Sequence, residues 1–206
     1  MLGANRKRVV VLGANGQLGT DLVEVLDEWD LIPLTHSEVD ICDFVHMREV
    51  LSRTQPEIVI NTAAFNRVDD GEDEPSKAFW VNTYAVRDLA RICADLGCVL
   101  MHISTDYIFG GEKRTPYTED DTPNPLNVYG VSKLAGEYFV RHLCPKHFVV
   151  RTSGLYGVAG SSGKGGNFVE TMIRLAKEGK PIRVVNNVSL RKVKSEMIAP
   201  TIASRL

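Results

Sequence analysis

Val9-Val10-Val11-Leu12-Gly13-Ala14-Asn15-Gly16-Gln17-Leu18-Gly19 (VVVLGANGQLG, residues 9–19) is the stretch that decides the fold. A short apolar run rich in β-branched residues, closed by glycine, reads as a strand buried on both faces. Glycines then recur at 13, 16 and 19 where the strand gives way to an amphipathic run, so GxxGxxG lies in a strand–turn–helix setting. Gly13 permits the tight turn, Gly16 lets backbone approach a pyrophosphate, and Gly19 lets the helix pack closely on the strand. The helix N-terminus adds N–H groups and partial positive charge. A glycine-rich connection with no ligand is the plainer alternative, and the flanking strand and helix weigh against it.

Outward from that turn, apolar runs alternate with helical periods. Strands are expected at 7–13, 31–35, near 39–41, 57–63, 98–104, 148–151 and 182–185, and helices at 16–28, 44–53, 76–96, 126–143 and 168–177. The 76–96 segment carries Phe79, Val86, Leu89, Ala90 and Cys93 at helical spacing and ends at Gly97. The pattern predicts an α/β fold: a Rossmann-like, doubly wound parallel sheet with helices on both faces. Ligands of such sheets bind outside the strand carboxyl ends, so the long loops at 110–125 and 154–166 are expected to help form a site, with Lys164 available to a phosphate.

With 206 residues, 44% of them hydrophobic and 24% charged, the chain can bury one substantial core. A net charge of -2 supplies no general field to draw nucleic acid or an anionic membrane, so neither is expected as a partner. The four cysteines, Cys42, Cys93, Cys98 and Cys144, lack CxxC spacing and read as the reduced thiols of a cytoplasmic protein, with no metal site. No run is long enough to span a bilayer, and residues 9–12 are too short for a signal sequence despite Arg6, Lys7 and Arg8. The acidic run Asp69, Asp70, Glu72, Asp73, Glu74 reads as solvated charge ahead of a helix rather than a metal cluster, and His102 as a satisfied structural residue.

Chemistry enters at Tyr129 and Lys133, a YxxxK pair that one helical turn puts on a common face. An ammonium beside a phenol is expected to lower the tyrosine pKa and make it a working proton donor or acceptor. Thr105 closes a strand whose carboxyl end belongs to the same ligand-facing edge, where its hydroxyl can bond a substrate carbonyl oxygen as charge builds. Asp106 reads equally as a turn residue, and Tyr107 as a core residue. After the second strand come Thr35, His36, Ser37 and Glu38: no acid stands at the tip to select NAD and no arginine to hold a 2′-phosphate. The cofactor reading leans to NADPH with NADH open.

STDYIFGG (104–111), PLNVYGVSKLAGE (125–137) and RTSGLYG (151–157), with GANGQLG (13–19) and INTAAFNRVD (60–69), resemble the dTDP-4-dehydrorhamnose reductase family of the extended short-chain dehydrogenase/reductase superfamily. The likeness runs over residues 8–187. It implies a catalytic triad of Thr105, Tyr129 and Lys133. It implies that Gly13, Asn15, Gly16, Gln17, Leu18 and Gly19 face the cofactor diphosphate, that Asp40 and Ile41 border the adenine, and that Ala63, Ala64 and Asn82 line the cofactor. Thr152 and Ser153 would lie beside the nicotinamide, with Asp106 and Asn127 near the sugar. The implied reaction is reduction of the 4-keto group of dTDP-4-dehydrorhamnose to dTDP-L-rhamnose, by a cytoplasmic enzyme with a nucleotide-sugar substrate that works as a homodimer.

Members of that family run on for about a hundred residues more, a length suited to a second small lobe. Residues 1–187 are therefore expected to be an NAD(P)-binding domain with partial substrate-site loops. Residues 188–206 (VSLRKVKSEMIAPTIASRL) read as a divergent, truncated or frame-shifted tail, with most of the substrate lobe missing. Cofactor binding with slow or no turnover follows. Two alternatives stay open: a nucleotide-sugar epimerase or dehydratase of the same superfamily, and a non-catalytic NADP-binding subunit resembling the regulatory subunit of methionine adenosyltransferase.

Overall fold

The computed structural model describes residues 6–157, 159, 168–179 and 193–205. At its centre is β1 (Arg8–Leu12), paired in parallel with β2 (Asp30–Leu34) on one side and β3 (Ile58–Asn61) on the other. β4 (Val99–Thr105) and β5 (His147–Thr152) extend the sheet, giving the order β2-β1-β3-β4-β5 with every pairing parallel. Side chains alternate across each strand, so two cores form. Val10, Leu12, Val59 and Leu100 face α2 (Phe44–Thr54) and α5 (Val86–Leu96) through Met47, Leu51, Leu89 and Ile92. Val9, Val11, Ile58, Ile60 and Met101 face α1 (Gln17–Val25) through Leu18 and Leu22. This is the expected Rossmann-like sheet. Its strand order changes direction between β1 and β3, whose carboxyl ends open the crevice in which such folds bind ligands.

Three parts differ from the sequence reading. The strand near 39–41 does not form: Glu38 and Val39 N–H both donate to the Thr35 carbonyl, and Asp43 N–H to that of Asp40, so the segment is a chain of turns. Val39 and Ile41 are nonetheless buried in the first core, which accounts for their apolar alternation without a ladder. The expected helix at 76–96 is preceded by α3 (Val68–Asp73), and it opens as α4 (Pro75–Phe79), passes through a π-helical turn (Trp80–Ala85) and continues as α5.

Residues 193–205, expected to belong to a divergent tail, instead form β7 (Val193–Lys194) and α8 (Ser195–Ala203). β7 pairs with β6 (Leu155–Tyr156), and α8 packs on α1 with Ala199 and Ile202 inside the second core. At Gly157 an added Cβ would strike the Ser195 hydroxyl and come within 3.3 Å of Gln17 Cγ and 3.4 Å of Asp21 Oδ2. The end of β6 and the starts of α8 and α1 thus meet at one point. The expected strand at 182–185, Lys164 and most of the 154–166 loop lie outside the described residues, which also include α6 (Val128–Leu143) and α7 (Phe168–Lys177).

Candidate active site

The turn after β1 is built for close approach. Gly13 holds φ +79, and an added Cβ there would lie 2.8 Å from Thr62 Oγ1 and 3.0 Å from the Ala63 nitrogen; at Gly19 it would meet the Gly13 carbonyl. Gly13 and Ala14 N–H donate to the Leu34 carbonyl, and Thr62 Oγ1 donates to Leu12 and Gly13 carbonyls at 2.7 and 3.1 Å, tying the loops after β1, β2 and β3 together. Among the described residues no side chain caps α1 at Gly16 and no acid stands in its first turn, so the helix presents its positive end and free donors to the crevice. Asn15 is exposed and Gln17 half-buried, whereas the Leu18 side chain is in the core and only its backbone faces the turn.

In the segment expected to border the adenine, Ile41 is buried and Asp40 accepts the Cys42 N–H at 2.9 Å. Glu38 Oε2 folds back onto Thr35, accepting both its N–H and its hydroxyl at 2.8 Å, and these two bonds hold its carboxyl below the ordinary range. Ala63 and Ala64 follow β3 as a half-buried loop. Asn82, in the π-helical turn, is buried with its amide fully committed: Oδ1 accepts Phe65 N–H, and Nδ2 donates to the Phe65 carbonyl and to Ser132 Oγ. Its position bears on the site by bracing the loop after β3 against α6.

The end of β4 collects the groups expected to carry the chemistry. Thr105 pairs in register with Thr152, the last residue of β5, whose Oγ1 donates to the Ser104 carbonyl; Ser153 follows directly. Thr105 Oγ1 accepts Tyr107 N–H at 3.2 Å and donates toward Asp106 Oδ1 at 3.3 Å, and it lies near enough to the Tyr129 phenol to favour its ionised form. Burial raises the Asp106 carboxyl, whose second oxygen is buried with no partner among the described residues. Tyr107, expected in the core, is instead 37% exposed, edge-on to the Tyr129 ring at 5.5 Å.

Tyr129 and Lys133 both turn toward β4. Lys133 Nζ donates to the Ile103 carbonyl at 2.7 Å and lies 3.3 Å from His102 Nε2. The expected lowering of the Tyr129 pKa by that amine is overturned: burial, with Asp106 and Tyr107 close by, pushes the phenol up to about 12, outweighing the lowering influence of Thr105. Burial also brings the lysine down to about 8, against the pull of Glu137. Asn127 caps α6, its Oδ1 accepting Gly130 N–H at 2.8 Å, which leaves its amide nitrogen to donate to a ligand.

The family model described as RmlD substrate binding domain matches residues 7–205, α8 included. The chain belongs to that family. It is 37% identical over 196 residues to dTDP-4-dehydrorhamnose reductase of Shigella flexneri, covering 93% of this chain and 64% of that protein. It is 40% identical over 182 residues to the spore coat polysaccharide biosynthesis protein SpsK of Bacillus subtilis (strain 168), covering 87% and 62%. Among solved structures, dTDP-4-dehydrorhamnose reductase (rfbD) from Bacillus anthracis str. Ames, in complex with NADP, superposes with a TM-score of 0.89 at 39% identity, covering 97% of this chain and 70% of that one. This member of the RmlD family thus spans about 64% of the length of the Shigella relative.

Several residues that shape this RmlD-family site escaped the sequence reading. Glu72, from the acidic run, accepts Val128 N–H at 2.8 Å and so caps α6 from 56 residues away. Glu137 is wholly buried and pairs with Arg151 of β5 at 2.8 Å, holding α6 on the sheet edge. No local signal marks either partner; both pairings depend on how distant elements pack. Among the described residues no cluster of histidine, cysteine and acidic side chains could hold a metal, and no helix is long and apolar enough to cross a membrane.

Proposed function

We propose that this chain binds NADPH in the β1–β3 crevice and carries the catalytic groups for reducing the 4-keto group of dTDP-4-dehydrorhamnose. The observation that carries the reading is the gathering of Thr105 and the Tyr129 phenol at the end of β4, with Lys133 one helical turn along the same helix and bonded to the Ile103 carbonyl. The names of the RmlD-family relatives support the substrate class.

The residues fit a dinucleotide. The uncapped first turn of α1, with Gly13, Asn15, Gly16, Gln17 and Gly19, would take the diphosphate, and the backbones of Leu18, Asp40, Ile41, Ala63 and Ala64 would line its path, braced by Asn82. Thr152 and Ser153 would face the nicotinamide. No acid stands at the tip of β2, and Oε2 of Glu38 just beyond it is already engaged by Thr35, which favours NADPH over NADH. A bound reduced nicotinamide supplies the hydride.

The protein's own part is proton control. A phenol with its pKa near 12 stays protonated at neutral pH and gives up its proton only to a stronger base, which an oxygen becoming an alkoxide is. Thr105 would hold that oxygen, Asp106 and Asn127 the sugar hydroxyls, and Lys133 the nicotinamide ribose and the charge left on Tyr129. A homodimer belongs to the same proposal, for which exposed Trp80, Tyr84 and Tyr138 offer apolar area.

Calorimetric titration with NADPH, NADH and the dTDP-sugar, followed by turnover with the keto sugar, tests the reading. NADPH should bind more tightly than NADH, and Tyr129→Phe should cut kcat by about 10²–10⁴ with cofactor affinity unchanged. A variant as active as the parent would point to a non-catalytic binding subunit, and no net consumption of NADPH to an epimerase or dehydratase.

A further inference from the structure

Three polar side chains stand in a row beneath α6: Asn61 at the end of β3, His102 in β4 and Lys133 of the helix itself, none more than 1% exposed. Asn61 and His102 are register partners across the sheet. Counting donors and acceptors fixes where their protons lie. Ala63 N–H donates to Asn61 Oδ1 at 3.1 Å, so the amide turns its Nδ2 to His102 Nδ1 at 3.2 Å. An amide nitrogen only donates; Nδ1 must therefore carry the lone pair, and a neutral ring keeps its proton on Nε2. That Nε2–H faces Lys133 Nζ, which already donates to the Ile103 carbonyl. An ammonium has no acceptor to offer, whereas a neutral amine has the lone pair the imidazole needs.

We propose that His102 is a positioning residue for Lys133, linking the lysine's charge, through Asn61, to the backbone bond of Ala63. With the amine neutral, each hydrogen bond in the row runs from a donor to an acceptor. When Nζ takes up one proton from water, it must donate to His102 Nε2. The ring then carries its proton on Nδ1 instead, with no net change of charge, and Asn61 must rotate its oxygen toward His102. The Ala63 N–H loses its acceptor at the place where it packs against Gly13. Charging the lysine thus costs one hydrogen bond in the loop beside the glycine turn.

Burial works in the same direction on both bases, holding His102 well below its ordinary value and Lys133 near 8. The other titratable groups around Lys133 are Glu137 on α6, itself paired with Arg151 of β5 and Arg141 of α6, and Tyr129, beyond which lie Asp106 and Tyr107. The use made of the charge rests on the reductase reading; the row of hydrogen bonds does not.

Nitrogen-15 NMR of the full chain without ligand, with histidine and lysine side chains labelled, reads the row directly. His102 should be the Nε2–H tautomer while Lys133 is neutral, and should change to Nδ1–H as Lys133 titrates near 8. In Asn61→Asp the new carboxylate can only accept, so Nδ1–H should persist at every pH and the lysine should hold its proton about tenfold more tightly or better. Should the variant not fold, the tautomer in the parent chain decides alone. An Nδ1–H ring at every pH, or a lysine titrating at its ordinary value, overturns the proposal. Failure to bind NADPH with the tautomer change intact would sink the reductase reading and leave this one standing.

Discussion

Lys133 and His102 are bases whose protons are bound more weakly in the folded protein than in the open chain. In such a window the unfolded chain carries more protons, so stability rises with pH. For Lys133 the window runs from about 8 up to its ordinary 10.5, and for His102 it lies below 6.5, so stability falls as the solution is acidified. The acids displaced upward act oppositely: Tyr129 and Cys42, both pushed to about 12, cost stability above their ordinary 10.0 and 9.0. The lysine contribution is therefore cleanest between pH 8 and 9. Denaturant titrations there should show the parent chain gaining up to about 1 kcal/mol per pH unit relative to Lys133→Met. Equal pH slopes in the two proteins would contradict the assignment.

Helix α6, which carries Tyr129 and Lys133, is positioned in part by the π-helical turn facing it. Asn82 and Thr83 both bond Ser132, the residue before Lys133, and Ser132 Oγ donates in turn to the Tyr129 carbonyl. Gly136 lies so close that an added Cβ would strike the Asn82 carbonyl. Gly136→Ala should therefore lower stability by roughly 1–3 kcal/mol, as an overpacked contact does, and weaken NADPH binding through the displaced Phe65 loop, measurable by denaturation and calorimetry side by side. The glycine turn and the Tyr129–Lys133 spacing were legible in the sequence because each is a local pattern. The π-helical turn was not, since its residues keep an ordinary helical composition. Nor were the Asn61–His102 pair and the Glu72 cap, which exist only once strands and helices far apart in the chain are in register. The direction of the Tyr129 shift was misread for a related reason: helix spacing reveals the nearby amine, but burial is a property of the packed molecule.

Across the whole molecule, the second core is closed by α8, whose Ile202 is 3% exposed against α1 and the sheet. Removing its side chain to Ala should cost about 2–5 kcal/mol, seen as a lower Tm, if the helix is part of the fold; a change near zero would mean that it is not. That helix was unrecognisable in sequence because its apolar face has meaning only against α1. The junction at Gly157, where β6, α8 and α1 converge, makes the N-terminal end of α1, where we propose the diphosphate binds, a neighbour of Ser195. Occupancy at one end of that contact and docking at the other must then be thermodynamically reciprocal. Amide exchange in residues 195–203 should slow when a dinucleotide is added, and anything that frays those residues should loosen the grip on the pyrophosphate by the same factor.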